Sequence, residues 1–189
     1  MSAISFAAAD VRREVEAAAA RLGGFVRRTP CDASRGLDPG GAGRAFLKME
    51  NLQITGSFKA RGAINRLLTT SVSELRGGLA TASAGNHAMA MLHAMGLVGA
   101  QGEIWVADQI SPAKLRALRE CGADLHVVEG ADPGGIESLA RLDAERTGRL
   151  FVSPYNDPQV IAGQGTVAVD LLHQVESVDV VFVPVGGGG

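Results

Sequence analysis

Gly78-Leu79-Ala80-Thr81-Ala82-Ser83-Ala84-Gly85-Asn86-His87-Ala88 is the stretch that decides the fold. Gly78 to Ala82 is small and apolar and predicts a short buried strand. Ser83, Ala84 and Gly85 then turn the chain, with Gly85 supplying backbone freedom. A helix is expected from Asn86 to Met95. Strand, tight turn and helix make half of a βαβ unit. The first N–H groups of the helix can then hold a carboxylate or phosphate. Asn86 brings both a donor and an acceptor to the turn.

The same alternation continues on both sides. Glu103 to Ala107 reads as a strand. Ser111-Pro112 opens a helix as cap and first-turn proline, and Gly122 closes it. Asp124 to Val128 is a strand, Gly135 to Thr147 a helix and Arg149 to Ser153 a strand. Asp157-Pro158 starts a helical region, expected to break near Gly163 and Gly165 and to run to about Val175. Upstream, Ala7 to Leu22 reads as a helix ended by Gly23-Gly24. Thr29-Pro30 forces an extended segment. Ala45 to Met49 is a strand leading to a helix that Ser57 can cap, and Val178 to Val185 is strand-like. The fold class is therefore α/β, with open parallel sheets flanked by helices and strand-end loops gathered at one sheet edge.

Two further segments carry chemistry. The chain holds only three lysines, Lys48, Lys59 and Lys114. Lys59 sits in Thr55-Gly56-Ser57-Phe58-Lys59-Ala60-Arg61-Gly62-Ala63, among small residues and hydroxyls and next to an aromatic ring. A lysine so placed loses its proton more easily than a solvated one and can attack a carbonyl. Gly186-Gly187-Gly188-Gly189 follows the apolar stretch Val178 to Val185. Four glycines after a strand allow a nest of backbone N–H groups to wrap a phosphate.

Together these segments resemble the pyridoxal-phosphate family of serine/threonine ammonia-lyases (dehydratases) and serine racemase, of fold type II. The resemblance rests on Lys48 to Ala63, Ser83 to Ala88, Ala162-Gly163-Gln164-Gly165-Thr166 and Pro184 to Gly189, in that order. It runs from about Thr29 to the last residue. It implies the tryptophan-synthase-β-like architecture of two subdomains. Residues 1–74 and 150–189 would belong to a large coenzyme domain, incomplete here, and residues 75–149 to a small one. An unfinished large-domain sheet would expose an edge prone to pairing.

The resemblance also implies roles. Lys59 would form a Schiff base with pyridoxal 5'-phosphate and then move the proton at the substrate α-carbon. Phe58 would pack against the coenzyme, and Asn86 would hydrogen-bond its ring hydroxyl. Gly186, Gly187, Gly188 and Gly189 would cradle its phosphate. Ser83, with Ala84, Gly85, Asn86 and His87, would receive the substrate carboxylate, so Lys59 and Ser83 are the candidate catalytic residues. Tyr155 falls where relatives place a substrate-side residue. The implied reaction takes threonine or serine to a 2-oxo acid and ammonia, the coenzyme supplying the electron sink. Hydroxyaspartate dehydratase and serine racemase are the alternatives within the family. Racemase relatives carry a hydroxyl residue where this chain has Ala84, and alanine cannot act as an acid or base. A fragment without turnover is the alternative of another class. Relatives continue past Gly189 and place there the residue facing the pyridine nitrogen and any metal site. They also suggest a homodimer for the full-length protein.

Composition narrows the setting. A formal net charge of -2 gives no basic face for nucleic acid. No run of about eighteen apolar residues predicts a membrane span. Cys31 and Cys121 are too few for a disulfide framework, and with no secretory signal at Met1 to Ser5 the expectation is cytoplasmic. The four histidines lack metal-site spacing. Gly163-Gln164-Gly165-Thr166-Val167-Ala168 has the spacing of a dinucleotide fingerprint. It does not directly follow a strand, and position 185 is Val rather than an acid.

Overall fold

The computed structural model describes residues 8–38, 44–131 and 134–186. The Gly187, Gly188 and Gly189 part of the phosphate-loop expectation lies outside the described residues, as does Ala7. The central element is a parallel sheet of four strands: β3 (Leu79–Ala82), β4 (Gly102–Ala107), β5 (Asp124–Val128) and β6 (Leu150–Phe151). Their order is β5-β4-β3-β6. Leu79 pairs with Gly102 on one side and with Leu150 on the other. The buried, side-chain-poor sequence of β3 suits a strand covered on both faces. Gly102 is required where the strands meet, because a Cβ there would lie 2.6 Å from the Leu79 carbonyl oxygen.

Helices α1 (Ala8–Leu22), α2 (Lys59–Leu68), α4 (Asn86–Val98) and α7 (Pro158–Gln174) pack together, with α2 against both α4 and α7. The core between them and the sheet holds Leu22, Ile64, Leu67, Leu79, Met91, Ile104, Val152 and Val160. Each such side chain contributes roughly 1.5–3 kcal/mol by leaving water. Helices α5 (Pro112–Glu120) and α6 (Ile136–Thr147) make the connections after β4 and β5. A short antiparallel pair, β1 (Cys31–Ala33) with β2 (Phe46–Lys48), leads into α2. Among the described residues no helix is long and apolar enough to cross a membrane.

One charged network ties these parts together. Arg61 on α2 is only 1% exposed. Its Nε and Nη2 each donate to a Glu50 carboxylate oxygen at 2.8 Å, and Nη2 also donates to Asp170 of α7 at 2.7 Å. Lys48 extends the network through the Thr29 carbonyl and Gln174, each at 2.8 Å.

Several expectations need correction. Helix α7 does not break at Gly163 and Gly165; it is continuous over seventeen residues. These glycines serve close packing instead. A Cβ on Gly163 would lie 2.6 Å from the Arg61 carbonyl oxygen and the Gly62 Cα, and one on Gly165 would lie 2.5 Å from Val15. The strand expected over residues 178–185 is also absent. That stretch has no strand partner among the described residues, and a strand exists only where its backbone pairs. Phe182 there is 93% exposed. Helix α3 (Val72–Gly77) was not anticipated, although Ser71 and Glu74 form the capping box that announces it.

The glycine contact is testable. Gly163→Ala is expected to lower stability by about 1–3 kcal/mol through overpacking. Gly96→Ala, in α4 with open space around it, should be neutral or stabilising by up to about 1 kcal/mol. Urea denaturation of both variants checks the pair, and equal effects would refute the packing role.

Candidate active site

The strand order reverses between β3 and β6, and open parallel sheets bind ligands at the carboxyl edge of such a crevice. A cavity of about 690 Å³ lies there. Its walls come from the loop after β3, the loop after β4, the start of α6 and the segment after β6, with Lys59 reaching in from α2.

Lys59 is the first residue of α2, and its backbone N–H donates to the Ser57 hydroxyl at 3.2 Å. Ser57 is therefore not the expected cap: Phe58 occupies the cap position, and the Ser57 hydroxyl makes only this local contact one residue earlier. The Lys59 Nζ donates to the carbonyl oxygen of buried Pro154 at 2.8 Å and lies 5.1 Å from the Phe58 ring centroid. Burial pushes its pKa below the ordinary lysine value. An amine so held can shed its proton and act as a nucleophile or a base. Burial lowers the Lys48 pKa as well, but there the Asp170 carboxylate, 3.7 Å away, and Glu50 oppose the shift, and Lys48 does not line the cavity.

On the facing wall, the Ser83 hydroxyl accepts the Gly85 N–H at 3.2 Å and shapes the turn into α4. Asn86 is exposed at the start of that helix, and Ala84 beside it presents only a methyl group. His87 is buried, and neither ring nitrogen has a hydrogen-bond partner among the described residues. Burial pushes its pKa down to about 3; the Lys59 charge acts the same way, and the Val152 backbone opposes both. His87 is therefore a neutral imidazole at physiological pH.

The structure thus brings Lys59, Ser83, Ala84, Asn86, His87 and Tyr155 to one cavity. Phe58 stands behind the lysine, while Gly85 and Gly186 are not part of the cavity wall. Three further wall residues, Pro154, Glu137 and Lys114, escaped the sequence reading. Only the fold brings them near Lys59, since they lie 95, 78 and 55 positions from it in the chain. The dinucleotide-like run lies inside α7, far from a strand end.

Residues 22–189 match the family of pyridoxal-phosphate dependent enzymes. The chain belongs to that family. This pyridoxal-phosphate dependent chain is 39% identical over 176 residues to an L-threonine ammonia-lyase of Thermotoga maritima, covering 93% of this chain and 44% of the relative. It is 39% identical over 173 residues to a beta-hydroxyaspartate dehydratase of Paracoccus denitrificans, covering 92% and 55%. It superposes on the serine racemase of Dictyostelium discoideum with TM-score 0.79 and 30% identity, covering 88% of this chain and 54% of the other. The chain spans about half the length of the curated relatives it matches.

The depressed His87 pKa sets a pH dependence in this pyridoxal-phosphate dependent chain. The unfolded chain takes up the imidazole proton near 6.5 and the folded chain only near 3. Stability therefore falls as pH drops through that window. Relative to His87→Gln, the wild type is expected to lose on the order of a few kcal/mol between pH 6.5 and 3.5. Urea midpoints at several pH values check this, and parallel curves would refute it.

Proposed function

We propose that the protein is a pyridoxal-phosphate-dependent ammonia-lyase (dehydratase) that converts threonine or serine to a 2-oxo acid and ammonia. The observation that carries this reading is one cavity in which the half-buried amine of Lys59 faces the turn of Ser83, Asn86 and His87. The names of the curated relatives support it. The chain's donor set suits the coenzyme: an amine whose proton is loosened by burial, an aromatic ring behind it and an imidazole without partners.

In this reading Lys59 would hold the coenzyme and, as a free amine, would take the substrate α-proton onto Nζ, the β-hydroxyl leaving with a proton as water. Phe58 limits the amine's movement. Asn86 would hydrogen-bond the ring hydroxyl, and Gly186 to Gly189 would hold the phosphate, although Gly186 does not line the cavity. Ser83, the N–H groups around Gly85 and neutral His87 orient the substrate carboxylate. Tyr155 borders the substrate side chain. Bound coenzyme supplies the electron sink for the α-carbanion. Ala84 leaves the face opposite Lys59 without an acid or base, which favours elimination by a single base over racemisation.

One observation favours a second substrate. Lys114 lines the same cavity, and its ammonium is suited to a second carboxylate, as in 3-hydroxyaspartate. The reading extends to the whole protein: a small subdomain over residues 75–149 set in a larger one, a homodimer and a cytoplasmic setting.

The test is a visible-absorbance titration of this chain and of Lys59→Ala with pyridoxal phosphate, followed by borohydride and peptide mapping. A coenzyme band in the wild type alone, fixed on the Lys59 peptide, is expected. The same label on that peptide in Lys59→Ala would refute the assignment. In the full-length protein the variant should lose threonine and serine turnover by roughly a thousandfold or more.

A further inference from the structure

Glu137 opens the first turn of α6 and points its carboxylate at the segment after β6. Its Oε1 accepts the hydroxyl of buried Ser153 at 3.0 Å, and its Oε2 accepts the Tyr155 hydroxyl at 2.5 Å. The two bonds straddle Pro154, whose carbonyl accepts the Lys59 ammonium at 2.8 Å. Ser153 is held a second time, by the Asn156 N–H at 3.1 Å. Proline has a fixed φ and no N–H of its own. The direction of its carbonyl is therefore set by the residues on either side, and Glu137 grips both.

We propose that Glu137 is a positioning residue for Lys59: by clasping Ser153 and Tyr155 it aims the Pro154 carbonyl that fixes the amine at the cavity wall. This rests on the reading of Lys59 as the reactive amine. Glu137 acts through geometry rather than charge. Arg141 pairs with it at 3.1 Å and is itself seated over the Phe151 ring, 4.5 Å from the centroid. Burial is what loosens the Lys59 proton. Phe58, which precedes α2, lies beside the amine, and the titratable groups that line the same cavity are His87 of α4, Lys114 of α5, Glu137 of α6 and Tyr155, with Arg141 paired to Glu137. Releasing the clasp frees the Lys59 side chain to swing toward water, which restores its affinity for the proton. Small displacements of a reacting group cost large factors in rate.

With only three lysines, carbon-13 labelling at lysine Cε gives three resonances, each assignable by substitution. The measurement is the Lys59 titration midpoint in the unliganded 189-residue chain. Glu137→Ala is expected to raise it by about 0.5 or more toward the ordinary lysine value. Glu137→Gln should leave it near the wild type, because the amide can still hold both hydroxyls. The double variant Ser153→Ala with Tyr155→Phe removes the clasp from the other side, keeps the Glu137–Arg141 pair and should reproduce the rise. It serves also if Glu137→Ala does not fold. An unchanged midpoint in the folded clasp variants overturns the proposal. So does an equal rise in Glu137→Gln, which would make the effect one of charge. An ordinary lysine midpoint in the wild type would instead defeat the reading of Lys59 itself. Pyridoxal phosphate addition at Lys59 should slow about tenfold in the clasp variants, with the label still on that peptide.

Discussion

A guanidinium with almost no access to water must have its charge matched, and Arg61 shows how much of the structure follows from that requirement. Its partners come from three parts of the chain: Glu50 after β2, Asp170 and Thr166 on α7, and the Arg27 carbonyl ahead of β1. Removing one partner of such a pair costs about 3–5 kcal/mol, because the other is left buried and uncompensated. The network therefore fixes α2 in angle and depth against α7. Lys59 begins α2, two positions before Arg61, so the same network places the amine. Gly62 and Gly163 complete the arrangement by letting the two helices approach closely.

Much of this was legible in the sequence because its signals are local. The turn from Ala82 to Asn86, the Ser111-Pro112 cap and the Asp157-Pro158 start each have a cause within four residues, and each stands in the structure. The reading failed where the cause is distant. Gly163 and Gly165 look like breakers along the chain, but the helix keeps them because Gly62, Arg61 and Val15 lie against them. Residues 178–185 are apolar enough for a strand, yet a strand depends on a neighbour that no local pattern reports.

The site divides in the same way. Lys59 and the Ser83 to His87 turn announce themselves by residue type and spacing. Pro154 and Glu137 do not, since a proline after a strand and a glutamate in a first helical turn are ordinary features. Their importance lies in two hydroxyls and one carbonyl that meet only when β6 returns beside β3. Neutral His87 is intermediate: its position next to Asn86 was visible, but its complete burial was not.

The strand order has an energetic consequence of its own. Strands β3, β4 and β5 pair after short excursions, whereas β6 pairs with β3 only after the chain has passed through both other strands and three helices. The loop closed by that last pairing is about three times longer than the others, which adds about 1 kcal/mol of closure entropy. The pairing is also the shortest in the sheet, two residues long. The cavity sits on this seam, with the Ser83 turn on one side and Pro154 on the other. A ligand that touches both sides adds its binding free energy to the pairing least favoured by the chain itself. Filling the cavity and holding the sheet together are thermodynamically linked.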